Sequence, residues 1–235
     1  MRIARGTALL VALALALEGC ASYSPTSAPV PKAGMMPFAR TDGNLVIGAD
    51  PHVQPDRQKA VFDGDLSEAG ILPIQIWLEN QGGRRLLVRR TDMMLVLPGG
   101  QQLSPAGASA AASRMESIGG VVGASIAFGI IGYLAASSAE EKARIARQVD
   151  FRNKELREVA IGKGESTHGF VFFIPLTGTS AFTEATLILR VVDFEEGTST
   201  PVSLPLSGMD FKATQEPAQQ QKNIAPQSSN PARRS

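Results

Sequence analysis

The stretch "GILPIQIWLENQ", Gly70 to Gln81, alternates apolar and polar residues with period two. Ile74, Ile76 and Leu78 fall on one side of an extended chain, and Gln75, Trp77 and Glu79 on the other, as in a strand with one face buried. Gly82-Gly83 follows as a turn signal. This run predicts a β framework, and the search for its partners works outward from it.

Downstream, "RRLLVRR" (84–90) and "DMMLVLPGG" (92–100) read as two more strands, the second stopped by Pro98-Gly99-Gly100. The charges flanking Leu86-Leu87-Val88 suggest strand ends that resist edge pairing. Much later come "REVAIGKGEST", "HGFVFFIPL" and "EATLILRVVDFEEGTSTPVSLPL". The last predicts a hairpin, Ala185 to Phe194 and Pro201 to Leu206, around Glu195-Glu196-Gly197-Thr198. Upstream, "NLVIGAD" (44–50) adds one strand. Seven or eight short strands with Gly and Pro turns predict a mainly β antiparallel sandwich. Its two parts are 41–103 and 158–211.

Composition excludes several functions. Twenty-three basic and 22 acidic side chains leave a net charge of +1, so no nucleic-acid partner is expected. Cys20 is the single cysteine and His52 and His168 are the two histidines, which leaves no intramolecular disulfide and no cysteine-based zinc site. Nucleophile-elbow, paired-histidine and phosphate-loop motifs are absent, "IGKGEST" lacking the first glycine of the last. No catalytic residue, metal or cofactor is expected, and the chain reads as a non-catalytic binding or structural module. The alternative is a cell-wall hydrolase working through scattered carboxylates, which need be near only in space.

The order of an apolar strand ending in Asn80, a strand ending in Gly99-Gly100, the turn "GKGES" and "GFVFFIP" before a final hairpin resembles the immunoglobulin-like domains common on bacterial lipoproteins. Gly164, Glu165, Gly169, Phe170, Phe172 and Phe173 carry the likeness. It implies an immunoglobulin-like sandwich in the cell envelope.

The N-terminus agrees with such a location. Arg2 and Arg5 precede an apolar run from Thr7 to Leu17, too short for a membrane span but suited to an export signal over 1–19. "LEGC", Leu17 to Cys20, then resembles the lipobox of bacterial lipoproteins, with Glu18 departing from the small or apolar residue usual there. The resemblance implies cleavage before Cys20, acylation of its thiol, and attachment to the membrane by lipid. Ala21 after the cysteine resembles lipoproteins destined for the outer rather than the inner membrane. The simpler alternative is ordinary signal cleavage near Ala21. Residues 20–40, rich in Ser, Pro and Ala, read as an extended tether, and 212–235 as a disordered tail.

Residues 104–157 break the β pattern and predict a helical insert, either a hairpin or one broken helix. Ser117 to Ala139 carries no charged residue. Within it Gly119, Gly123 and Ala127 fall four apart, as do Gly132 and Ala136, resembling the small-residue faces of close helix packing. Ser138 with Glu141 has the capping-box pattern, and Glu140 and Glu141 before Lys142, Arg144 and Arg147 suit a helix dipole. Three readings stay open: a transmembrane helix, a helix packed on the sandwich, or an element for self-association or membrane insertion. A homo-oligomer through the insert is thus one expected partnership; an envelope protein partner has no sequence signature.

Overall fold

The computed structural model describes residues 23–24, 26–118, 129–174 and 184–207, with backbone alone at 118 and 129–139. Its strands are β1 (Phe38–Asp42), β2 (Leu45–Pro51), β3 (Leu72–Asn80), β4 (Leu86–Val88), β5 (Met93–Val96), β6 (Gln102–Leu103), β7 (Val159–Ile161), β8 (Ser166–Phe173), β9 (Glu184–Asp193) and β10 (Ser199–Ser207). Its α-helices are α1 (Pro55–Phe62), α2 (Ala108–Ile118) and α3 (Gly129–Lys154). Neither α1 nor β1 was legible in the sequence pattern.

The first sheet has the order β1-β2-β3-β8. In the second, β10 lines one edge of β9, and β4 and β5 follow each other along the opposite edge. They act as one strand broken by the 3-10 turn Arg90–Asp92, with β7 and β6 paired outside them. All these ladders are antiparallel. With β2, β3 and β8 in one sheet and β4/β5, β9 and β10 in the other, the order matches the A-B-E and C-F-G strands of an immunoglobulin-like sandwich. The β4 strand is therefore interior, which corrects the reading of its charged ends as edge guards. The arginines instead have ion-pair partners: Arg84 with Asp193 and Glu196 and Arg85 with Glu195 at the β9–β10 turn, Arg89 with Asp92, and Arg90 with Glu155 at the end of α3.

Between the sheets, Ile47, Ile74, Ile76, Leu78, Val171 and Phe173 meet Leu95, Leu187, Leu189, Val202, Leu204 and Leu206. The facing read from Ile74, Ile76 and Leu78 is the observed one. A second core lies on the other face of the first sheet, where Phe170 and Phe172 of β8 pack with Phe62 of α1, Ala111 and Ala112 of α2, and Phe151 of α3. Phe62 lies 4.9–5.8 Å, ring centre to ring centre, from Phe151, Phe170 and Phe172. Such pairs add ~0.5–1.5 kcal/mol each beyond the area they bury. The domain thus has three layers, and "GFVFF" reads as a continuous apolar run because both of its faces are covered.

The insert is a helical hairpin whose base belongs to this second core. The start of α2 adjoins the end of α3: the Glu155 carboxylate accepts the Ala108 amide at 2.8 Å, and Arg152 donates to Ser109 Oγ at 3.1 Å. The two ends of the insert also close the free edge of β8. The Ala106 amide donates to the Phe172 carbonyl and the Leu156 amide to the Phe170 carbonyl. A Cβ on Gly169 would lie 2.6 Å from the Leu156 backbone, so only glycine admits this approach. The structure corrects the helix start: Ser138 lies inside α3, which is already helical at Gly129. The Ala-rich "LAASSA" propagates a helix through the capping-box pattern, so Glu140 and Glu141 sit mid-helix rather than in a first turn.

Candidate functional site

The outer face of the first sheet carries the residues with the most unusual surroundings. Strand register sets them in rows: Asp50, Gln75 and Phe170, then Gly48, Trp77 and His168. Beyond Asp50 the chain turns through His52, whose amide is held by the Pro73 carbonyl. The helical layer covers the upper row and leaves Trp77 half-buried and His168 exposed. Those two rings stack 5.1 Å apart at 11°. Trp77, on the side of β3 opposite Ile74, Ile76 and Leu78, thus lies against its cross-strand neighbour.

A polar cluster, buried except for Arg57, lies beside the aromatic core. Arg57 of α1 grips Asp50 with both guanidinium nitrogens, at 3.1 and 2.6 Å. His52 is 2% exposed and sets its ring edge-on to Phe170. Burial first, and the Arg57 cation second, push its pKa down to about 4, so the ring is neutral. Arg57 lies 3.3 Å from Nε2, which accepts from it, and the proton then sits on Nδ1, which has no partner among the described residues. Gln58 bridges the His52 carbonyl and Ser67. Local sequence reasoning missed this cluster, because its members come from the end of β2 and a short helix whose pattern is only weakly amphipathic.

Residues 23–24 and 26–36 lie along this face, which corrects the reading of 20–40 as an extended tether for the part described. The Tyr23 hydroxyl donates to Asp150 at 2.5 Å, and Arg147 stacks over its ring at 5.1 Å. Burial, and then the Asp150 bond, raise that phenol well above its ordinary pKa. Thr26 donates to the Ala60 carbonyl, and Gln75 donates to the Pro29 carbonyl at 2.7 Å. Ala33 is buried on Gly48, where a Cβ would stand 2.6 Å from the Ala33 oxygen. The proline-rich composition is real, but its extended backbone has been given polar partners and a flat surface, which offset the entropy of ordering it.

Under this strap is a cavity of about 510 Å³ lined by Thr26, Ser27, Gln75, Asp150, Lys154 and His168. Its one carboxylate among the described residues, Asp150, is already engaged by Tyr23 and by Lys154 at 2.6 Å. A second cleft, about 670 Å³, opens at the end of the sandwich between Asp42, Asn80, Arg84, Asp193 and Thr200. There Asp193 accepts the Glu196 and Glu195 amides and faces Arg84, and these hold its carboxyl below the usual range. Asn80 at its floor is buried and saturated: its side chain donates to the Arg84 and Ile161 carbonyls and accepts the Gly82 amide. Among the described residues no three His, Cys, Asp or Glu side chains are grouped to hold a metal. Both cavities offer hydrogen bonding and ion pairing to a small polar group.

Of the residues singled out from sequence, Cys20, Gly119, Gly123 and Ala127 lie outside the described residues, as do the signal at 1–19 and the tail at 212–235. Gly132 lies in the backbone of α3. Among the described residues no helix is long and apolar enough to cross a membrane.

No known family profile matches the chain, and no curated protein matches it. Solved structures of similar shape come from bacteria. One is YcdA of Bacillus subtilis, provisionally described as a lipoprotein, at 12% identity and a TM-score of 0.40 over 78% of this chain and 41% of that one. This chain therefore spans well under half of that protein's length. A functionally unknown protein of Listeria monocytogenes aligns at 8% identity and 0.36, over 80% and 91%. The secreted protein MPT63 of Mycobacterium tuberculosis aligns at 10% and 0.30, over 70% and 91%. At these values the likenesses carry no statement about activity, ligand or partner.

Proposed function

We propose that this chain is a lipid-anchored module of the bacterial cell envelope, of the outer rather than the inner membrane. It acts without catalysis, by binding or as a structural element, and its insert makes contact with the membrane or with a second copy. The observation that carries this reading is the docked strap. From Tyr23 on, the described residues of the strap belong to the folded surface of the domain, as suits a mature chain that begins at the cysteine. A sandwich with a covered outer face and small polar cavities supports a binding role. The hydrolase alternative gains no support at either cavity, where Asp150, Asp193 and Asp42 are each paired with a cation rather than poised as an acid and base pair.

Labelled palmitate fed to cells expressing the full chain tests it. Label is expected in the wild type and absent in Cys20→Ala, which should also leave the membrane fraction. Unchanged fractionation of Cys20→Ala would rule the anchor out.

A further inference from the structure

We propose that the N-terminal end of α3 is the membrane-facing end of the molecule, and that its uncharged part enters the leaflet holding the acyl chains of Cys20. This rests on the lipid-anchor reading and goes beyond it by fixing an orientation.

Two independent features meet at one level of α3. The first is the change in character along the helix. No charged residue occurs from Ser117 to Ala139, whereas Glu140, Glu141, Lys142, Arg144 and Arg147 follow within eight positions. The second is the reach of the anchor. Cys20 is three residues before Tyr23, a span of at most roughly 10 Å when extended. Tyr23 is fastened to α3 by its hydroxyl on Asp150 and its ring beneath Arg147. From Arg147 back to Glu140 the helix rises roughly 10 Å. That reach is as long as the rise of α3 from Arg147 to Glu140, so Cys20 can extend to the level where α3 passes from charged to uncharged.

The hairpin geometry sets the depth. Since the C-terminal end of α3 adjoins the start of α2 and holds Phe151 in the outer core, the N-terminal end of α3 is the end remote from that base. Residues 129–139 rise roughly 16 Å, about half of a hydrocarbon core ~30 Å thick. A rod of that length fits one leaflet. Ile145 and Val149 are half exposed on α3 beside Lys142. Apolar side chains among cations suit the headgroup layer just outside.

The test uses acylated full-length protein in vesicles of phosphatidylethanolamine and phosphatidylglycerol. Acylation consumes the one native thiol, so an introduced cysteine is the sole site for an environment-sensitive NBD label. Ala136→Cys, Ile145→Cys and Ser203→Cys place it on the uncharged part of α3, at the boundary, and on an exposed position of β10. The expected emission shifts to shorter wavelength strongly at 136, less at 145 and not at 203. Equal emission at 136 and 203, in protein that carries palmitate, would overturn the orientation and leave the anchor standing. Absence of palmitate from the wild type would overturn both. A shift at 136 that disappears on diluting the protein at fixed lipid would assign this end to contact between copies, and would overturn the proposal.

Discussion

Along β8 the inward side chains, Val171 and Phe173, meet a second sheet, whereas the outward ones, Phe170 and Phe172, meet helices whose Phe62 and Phe151 are remote in sequence. The inner face is mostly aliphatic and repetitive, each strand supplying every second residue. The outer face is built from unlike parts: an aromatic cluster under helices, the buried Asp50 and His52 with the partly exposed Arg57, a proline-rich strap, and the Trp77–His168 stack at the rim. A sheet packed on a sheet needs only alternation. A sheet covered by single segments needs each of them to fit a particular spot, which is why glycine occurs at 48 and 169, where a backbone passes too close for a Cβ.

The greatest expected effect separates the base of the insert from its far end. Replacing 106–155 with a short Gly-Ser turn strips the cover from Phe170 and Phe172 and opens the β8 edge. Cooperative thermal unfolding, followed by circular dichroism, should be lost. Replacing only 119–139 should preserve it. A domain that melts cooperatively without 106–155 would make the outer core dispensable.

Single truncations compare the faces directly. Phe172→Ala on the outer side should cost ~3–5 kcal/mol and Leu187→Ala on the inner side ~2–5 kcal/mol in urea unfolding. A loss below about 1 kcal/mol at Phe172, against the transfer cost of a buried ring, would show that the helical cover yields easily.

Acid should weaken the outer face in particular. His52 is held neutral in the fold with a pKa of about 4, against 6.5 for a free histidine. Between those values protons bind the unfolded chain and not the native one. Its share of stability is therefore present above pH 6.5 and declines as pH falls towards 4, by about 3 kcal/mol in all. In His52→Gln this part of the acid slope should flatten; an unchanged slope would assign it to other groups.

The smallest effect concerns the strap. Gly48→Ala puts a methyl against the Ala33 carbonyl and should cost ~1–3 kcal/mol, with faster proteolytic cutting between 23 and 36. If cutting is no faster, the strap is not held by this contact.

Residues 70–81 were sufficient to set the facing of β3, since alternation is a local property and water selects one side. The β9–β10 hairpin, with its turn at Glu195 to Thr198, was legible for the same reason. Other local signals misled. The capping box at Ser138 was overruled by helix already propagating from upstream, and the first charged end of "RRLLVRR", Arg84 and Arg85, proved to be the ion-pair partner of a turn about a hundred residues away. The candidate site was almost illegible, because His52, Gln75, Asp150 and Tyr23 share no spacing and meet only once the sheet, α3 and the strap are in place.

By itself, then, the sequence determined a two-sheet sandwich interrupted by a helical insert, because burial with period two and helix propensity act within a few residues. Only the tertiary structure decided that the insert is part of the core, that the proline-rich segment is fastened to the outer face, and that a histidine is buried there uncharged. Those outcomes depend on which surfaces are left uncovered once the sheets have paired, and on the backbone clearance at Gly48 and Gly169 that lets distant segments reach them.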